Sequence, residues 1–259
     1  MGEVRRYPNG AFNWIDLVTP DVSEAKAFYA GLFGWETEDL PARGGAAYTM
    51  CRLGGEDVAA IHEHTADERA WWSSFISVDD VDKTTARAIE LGATALRGPV
   101  DMAASRTSLI RDPGGAIVSL WQAKGHIGAS LVNELGTWTW NELGTADLDA
   151  AKEFYGELLG WSADDVTGPL PRASFTLGTL LVGGAHALTP QEGDQSRWTV
   201  SFRVADADEA IARVQALGGA VLLPPMDIPI GRFAIVADPA GAPFTVSAFA
   251  TPFQGVDGS

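Results

Sequence analysis

Cysteine is nearly missing from this chain of 259 residues; Cys51 stands alone. A lone cysteine closes no internal disulfide and has no companion for a paired-cysteine metal site, which fits a reducing cytoplasm. Basic residues are scarce as well. Only 18 Lys and Arg face 34 Asp and Glu, a formal net charge of −16. Phosphate binding needs a basic surface and anionic lipids repel an acidic one, so nucleic acid and membrane are both excluded as partners. No apolar run approaches the roughly 18 residues of a spanning helix, and MGEVRRYPNG lacks the apolar stretch of a secretory signal. Also absent are a dinucleotide fingerprint, a phosphate loop, a nucleophile elbow and a catalytic Cys–His pattern. A soluble, cytoplasmic protein is expected.

What is present is a repeat. WIDLVTPDVSEAKAFYAGLFGW, from Trp14 to Trp35, returns as WNELGTADLDAAKEFYGELLGW, from Trp140 to Trp161, an offset of 126 residues. The same offset relates Trp72 to Trp198, Leu91-Gly92 to Leu217-Gly218, Arg106 to Arg232, and Asp112-Pro113 to Asp238-Pro239. Only the stretch between about 40 and 70 slips, as hairpin loops do. A period this long is a duplicated domain. The division predicted is 1–124 and 125–259, joined by AKGHIGASLVNELGT, too apolar to hang free.

Each copy reads as strand, helix, then strands, twice over. Trp14 to Val18 is predicted as a strand, followed by a helix that Thr19 or Asp21 can cap and Gly34 stops. Ala25, Phe28, Tyr29 and Leu32 recur on that helix at helical spacing. A hairpin turns at Gly54-Gly55, and a second strand and helix end at Gly92. The turn Asp112-Pro113-Gly114-Gly115 then joins two closing strands. The fold class is α+β: two tandem domains, each a pair of βαβββ modules forming a curved mixed-sheet cup.

LVTPDVSEAKAFYAGLFGW, the FISVDDVD and IELGA segments and the strand–DPGG–strand close, each with its second copy, resemble the vicinal oxygen chelate superfamily. That family includes glyoxalase I, bleomycin-resistance proteins and extradiol dioxygenases. The connector followed by WNEL is similar to the tandem actinobacterial glyoxalase-like members. The resemblance implies a His/His/Glu metal triad at positions that hold Trp14, Ser73 and Ser119 in the first copy, and Trp140, Thr199 and Thr245 in the second. Indole only donates and neutral hydroxyls bind metal weakly. No metal and no cofactor are therefore expected.

Without a metal, the cup remains. The family's alternation gives the first cup a lining of Trp14, Asp16, Ser73, Phe75, Ser77, Ser119 and Trp121, with Tyr48 and His62 at its side. The second is lined by Trp140, Glu142, Thr199, Ser201, Arg203, Thr245 and Ser247, with Phe175 at its side. Broad aromatic faces suit a planar ligand. Asp16 and Glu142 are the candidate acid–base residues, because buried carboxylates need partners. Arg203 is expected to pair with Glu142, leaving Asp16 the better candidate for a raised pKa. His186 has no repeat partner at an expected site. These readings predict a metal-independent binder of an apolar or aromatic small molecule, such as an antibiotic or polyketide-like metabolite, acting as a monomer or homodimer. A cofactor-free lyase, isomerase, cyclase or hydroxylase-like enzyme of the same fold is the alternative, and a protein-interaction module the third.

Overall fold

The computed structural model describes residues 2–41, 47–64, 70–168, 170–190 and 192–249. The first half holds β1 (Phe12–Thr19), α1 (Val22–Phe33), β2 (Glu36–Pro41), β3 (Ala47–Leu53), β4 (Glu56–Glu63), β5 (Trp71–Ser77), α2 (Val81–Glu90), β6 (Thr94–Asp101), β7 (Ser105–Arg111) and β8 (Ile117–Ala123). The second half repeats them as β9 (Trp138–Thr145), α3 (Leu148–Leu159), β10 (Ser162–Val166), β11 (Arg172–Leu177), β12 (Leu180–Ala187), β13 (Arg197–Arg203), α4 (Ala207–Ala216), β14 (Ala220–Ile228), β15 (Gly231–Ala237) and β16 (Pro243–Phe249). Each half is one sheet of eight strands, ordered β2-β3-β4-β1-β5-β8-β7-β6 and β10-β11-β12-β9-β13-β16-β15-β14. The two modules of a domain meet where β1 runs antiparallel to β5, while β1 pairs with β4 and β5 with β8 in parallel.

Local chemistry sets the element ends. Asp21 caps α1, its Oδ1 accepting from Glu24 N at 2.8 Å, and Asp147 caps α3 in the same way at 3.0 Å. Gly34 and Gly160 close those helices at φ 78 and 75, a left-handed conformation that costs glycine nothing.

The domains pack through β5 against β13 and helix against helix, α1 on α4 and α2 on α3, so the Gly-Trp stops and the aromatic repeats serve the interface between them. Trp35 Nε1 donates to Gly136 O and Trp161 Nε1 to Gly10 O, both at 2.8 Å. Tyr29 accepts from Trp72 Nε1 at 3.0 Å and donates to Asp238 at 3.1 Å; Tyr155 accepts from Trp198 Nε1 at 2.9 Å and donates to Asp112 at 2.8 Å. The DPxG aspartates therefore hold the domains together as well as their own turns. Phe202 sits among Phe33, Trp35, Trp72 and Phe244 at ring distances of 4.8 to 5.6 Å. The connector packs as expected, with Ala129 N on Asn13 O and Ser130 N on Asp57 O, both 2.8 Å. Cys51 is buried in this core, and burial pushes its thiol up to about 12.

Candidate functional site

Ser74 and Trp72 meet the other domain, so the residues that alternate with them in β5 lie on the opposite sheet face. In the first domain, register aligns Asp16 with Ser73, Trp14 with Phe75, Phe75 with Ser119 and Ser77 with Trp121, so the expected lining shares one face. Trp14 is nevertheless 0% exposed: its Nε1 donates to Tyr48 Oη at 3.0 Å, and its ring meets His126 at 5.0 Å and Trp121 at 6.5 Å. It forms a covered floor and not the open aromatic wall that a ligand would touch first. The accessible mouth is made by Tyr48, His62, Ser73 and Ser77, with Arg97 on the far side. Arg97 was not anticipated; it is exposed on β6, an irregular edge strand, opposite Leu109, and its charge acts on Asp16.

Asp16 lies under this mouth, 4% exposed. Its Oδ2 is 3.6 Å from His62 Nδ1, and His62 stacks on Tyr48 at 5.9 Å. Its Oδ1 is buried with no hydrogen-bond partner among the described residues, as is the hydroxyl of Thr107 on the same face. Burial raises the Asp16 pKa, and His62, Ser73 and Arg97 offset only part of that.

The second cup solves the same problem differently. Arg203 does not pair with Glu142. It follows an irregularity in the β9–β13 register and donates from Nη1 to Asn133 O at 2.8 Å, tying down the connector. Glu142 is instead held by Arg172 Nη2 at 2.7 Å, Trp140 Nε1 at 2.8 Å and His186 Nδ1 at 3.2 Å. His186 also reaches Glu192 at 2.8 Å through Nε2. Phe175, expected beside this cup, faces the interdomain core with Trp161 at 5.1 Å and is 0% exposed. The true counterparts of Tyr48 and His62 are Arg172 and His186, because each pair sits opposite in its hairpin. His186 therefore has a repeat partner after all, at an offset of 124.

Burial pushes Glu142 up, but His186, Arg172 and Trp140 outweigh it and hold the carboxyl below its ordinary value of 4.5. Burial disfavours the charged His186, and Glu142 and Glu192 overcome that to lift it above 6.5. A depressed acid stabilises the fold above its unfolded pKa and loses this as pH falls; a raised base stabilises below its unfolded pKa and loses this as pH rises. The pair should therefore stabilise most between pH 4.5 and 6.5. Melting temperature against pH is expected to dip on both sides of that window, and Glu142→Gln should flatten the dip. A variant with the wild-type profile would refute the coupling. A Cβ at Gly184 would displace Glu142 Oε2 from its present place; Ala60 stands at that position beside the shorter Asp16.

The donor sets do not fit the family metal. Trp14, Ser73 and Ser119, or Trp140, Thr199 and Thr245, offer no imidazole or carboxylate, and among the described residues no cluster of three or more His, Cys, Asp or Glu is placed to hold a cation. A cleft lined by Tyr7, Phe12, Trp138, Trp140, Asn141 and Val182 carries no charged side chain. Among the described residues no helix is long and apolar enough to cross a membrane.

Comparison with known proteins agrees with this architecture. The family model described as "Glyoxalase/Bleomycin resistance protein/Dioxygenase superfamily" matches residues 11–120 and 135–246. "Putative glyoxylase CFP32" of Mycobacterium tuberculosis is 42% identical over 255 residues, covering 95% of this chain and 97% of that protein. The anthracycline biosynthesis protein DnrV of Streptomyces peucetius is 32% identical over 262 residues, covering 93% and 94%. Among solved structures, the Mn(II)-bound glyoxalase from Novosphingobium aromaticivorans superposes with a TM-score of 0.65 at 16% identity, covering 96% of this chain and 86% of that one.

Proposed function

We propose that this chain, which belongs to the glyoxalase/bleomycin resistance protein/dioxygenase superfamily, binds a planar, largely apolar small molecule in the concave face of its first domain without a metal. The observation that carries this is the buried Asp16 carboxyl beneath Tyr48 and His62, whose Oδ1 has no hydrogen-bond partner among the described residues. An unsatisfied buried acceptor costs about 1–3 kcal/mol. A ligand hydroxyl donating to it recovers that cost, while Tyr48 and His62 offer their rings to the ligand's face. The name of the relative in anthracycline biosynthesis supports an aromatic, polyketide-like ligand. The acidic charge of −16 supports a small molecule over nucleic acid or membrane as partner, and a cytoplasmic monomer or homodimer completes the proposal. Titration with 1,8-dihydroxyanthraquinone should quench tryptophan fluorescence with saturation, and Tyr48→Ala should weaken the binding by about 1–3 kcal/mol. Absence of quenching, or quenching unchanged in Tyr48→Ala, would remove the assignment.

One observation favours a second reading, a cofactor-free enzyme. The raised pKa of Asp16 beside His62 suits a carboxyl that passes a proton to or from a bound ligand. Glu142, pinned and depressed, makes the poorer base. Product formation from a bound ligand separates enzyme from binder.

A further inference from the structure

β4 joins β1 only from the pair Asp16 and Ala60 onward, and β12 joins β9 only from Glu142 and Gly184. Ahead of those pairs the parallel strands part, which leaves a wedge between two strand edges in each domain. In the first domain the connector, arriving directly from β8, fills the wedge. Ile127 O accepts from Asn13 Nδ2 at 3.0 Å, and Ala129 N donates to Asn13 O at 2.8 Å. Ser130 N donates to Asp57 O, and Asp57 N to Ser130 Oγ, both at 2.8 Å.

In the second domain the same wedge is the uncharged cleft, between Thr139 and Asn141 of β9 and Leu181 and Val182 of β12. Thr139 stands where Asn13 does at the offset of 126, and Leu181 where Asp57 does at the hairpin's offset of 124. Among the described residues, none outside the strands donates a backbone N–H to Thr139 O or Leu181 O. Asn141 is buried in this cleft. Its Oδ1 accepts from Ser74 Oγ at 3.0 Å, and its Nδ2 has no hydrogen-bond partner among the described residues. A buried donor left without an acceptor is costly.

We infer that residues 250–259, ATPFQGVDGS, seat in this cleft as an added extended segment. They follow β16 as the connector follows β8, and the offset of 126 sets Phe253 at the place of Ile127 and Gly255 at that of Ala129. Backbone hydrogen bonds to Thr139 and Leu181 supply the seat, the way an extended peptide joins an open strand edge. A carbonyl of the segment accepts from Asn141 Nδ2, as Ile127 O accepts from Asn13 Nδ2 in the other copy. The composition agrees, since the cleft has no charged side chain and Asp257 is the single one in the segment. The Phe253 ring brings apolar surface that Phe12, Trp138 and Val182 can cover. None of this depends on what the first domain's cup binds.

Hydrogen exchange, read by mass spectrometry on the full chain and on a chain ending at Phe249, tests the seat. Removing 250–259 should speed exchange at 138–141 and 180–182 by at least about tenfold, and leave 12–15 and 56–59, which the connector closes, unchanged. Phe253→Ala in the full chain should move the same segments in the same direction, and serves if the shortened chain does not fold. Protection in the full chain should be the same at widely different protein concentrations. Exchange unaltered by both changes, or raised equally in the two domains, overturns the inference and leaves the cleft to another occupant. Protection that disappears on dilution overturns it in favour of a second copy of the chain.

Discussion

Phe202→Ala is expected to lower the free energy of unfolding by about 3–5 kcal/mol, the usual cost of emptying a buried phenyl position. Phe202 is 0% exposed and belongs to the second domain, yet three of its ring partners, Phe33, Trp35 and Trp72, lie in the first. The domains share a single core, closed by two Trp–Tyr–Asp chains that cross in opposite directions. Chemical denaturation of the wild type should therefore give one cooperative transition, and the variant should shift it as a unit. Leu222→Ala, at a side chain 56% exposed, should change stability by less than about 0.5 kcal/mol. Two separate transitions, or a loss at Phe202 no larger than at Leu222, would contradict a shared core.

Asp16→Asn is expected to separate binding from chemistry. The amide keeps the size of the side chain and one acceptor, so affinity for a hydroxylated planar ligand should change by less than about tenfold. If Asp16 passes a proton, turnover should fall by about two to four orders of magnitude. Stability should move the other way. A raised carboxyl costs the folded state progressively as pH climbs from the ordinary value of 3.8 through the folded pKa, and the cost stays constant above that. Asp16→Asn removes it, so the melting temperature at neutral pH should rise. Loss of function with a gain in stability is the expected mark of a site residue. Glu142→Gln is the control: it should leave turnover unchanged and destabilise, since it discards a carboxylate held by three donors. A stability loss in Asp16→Asn would make that carboxylate structural.

The repeat made much of this fold legible. A period of 126 residues carries the caps Asp21 and Asp147, the stops Gly34 and Gly160, and the paired sheets. The outer strands were less visible, because Glu36–Pro41 is charged and almost wholly exposed, with no alternation to read. The side walls of the cups were misassigned for a related reason. Counting across a hairpin whose loops differ in length placed Phe175 where Arg172 stands, and hid His186 behind an offset of 124. Cross-strand partnership fixes those positions, and loop length breaks the count. Arg203 misled because a register irregularity beside it redirects the side chain to the connector. The missing triads could be read directly, since replacing imidazole and carboxylate by indole and hydroxyl is a change of chemistry that needs no geometry.

Binding without a metal is the claim on which the functional reading depends, and one titration addresses it most directly. Tag-free protein, dialysed against chelator and checked by elemental analysis, is titrated with 1,8-dihydroxyanthraquinone and then retitrated after zinc, manganese or iron(II) is added. Saturable quenching of the same amplitude and midpoint in every condition is the predicted result. Binding that appears only after a divalent metal is restored, together with one tightly held metal per chain before dialysis, would contradict it.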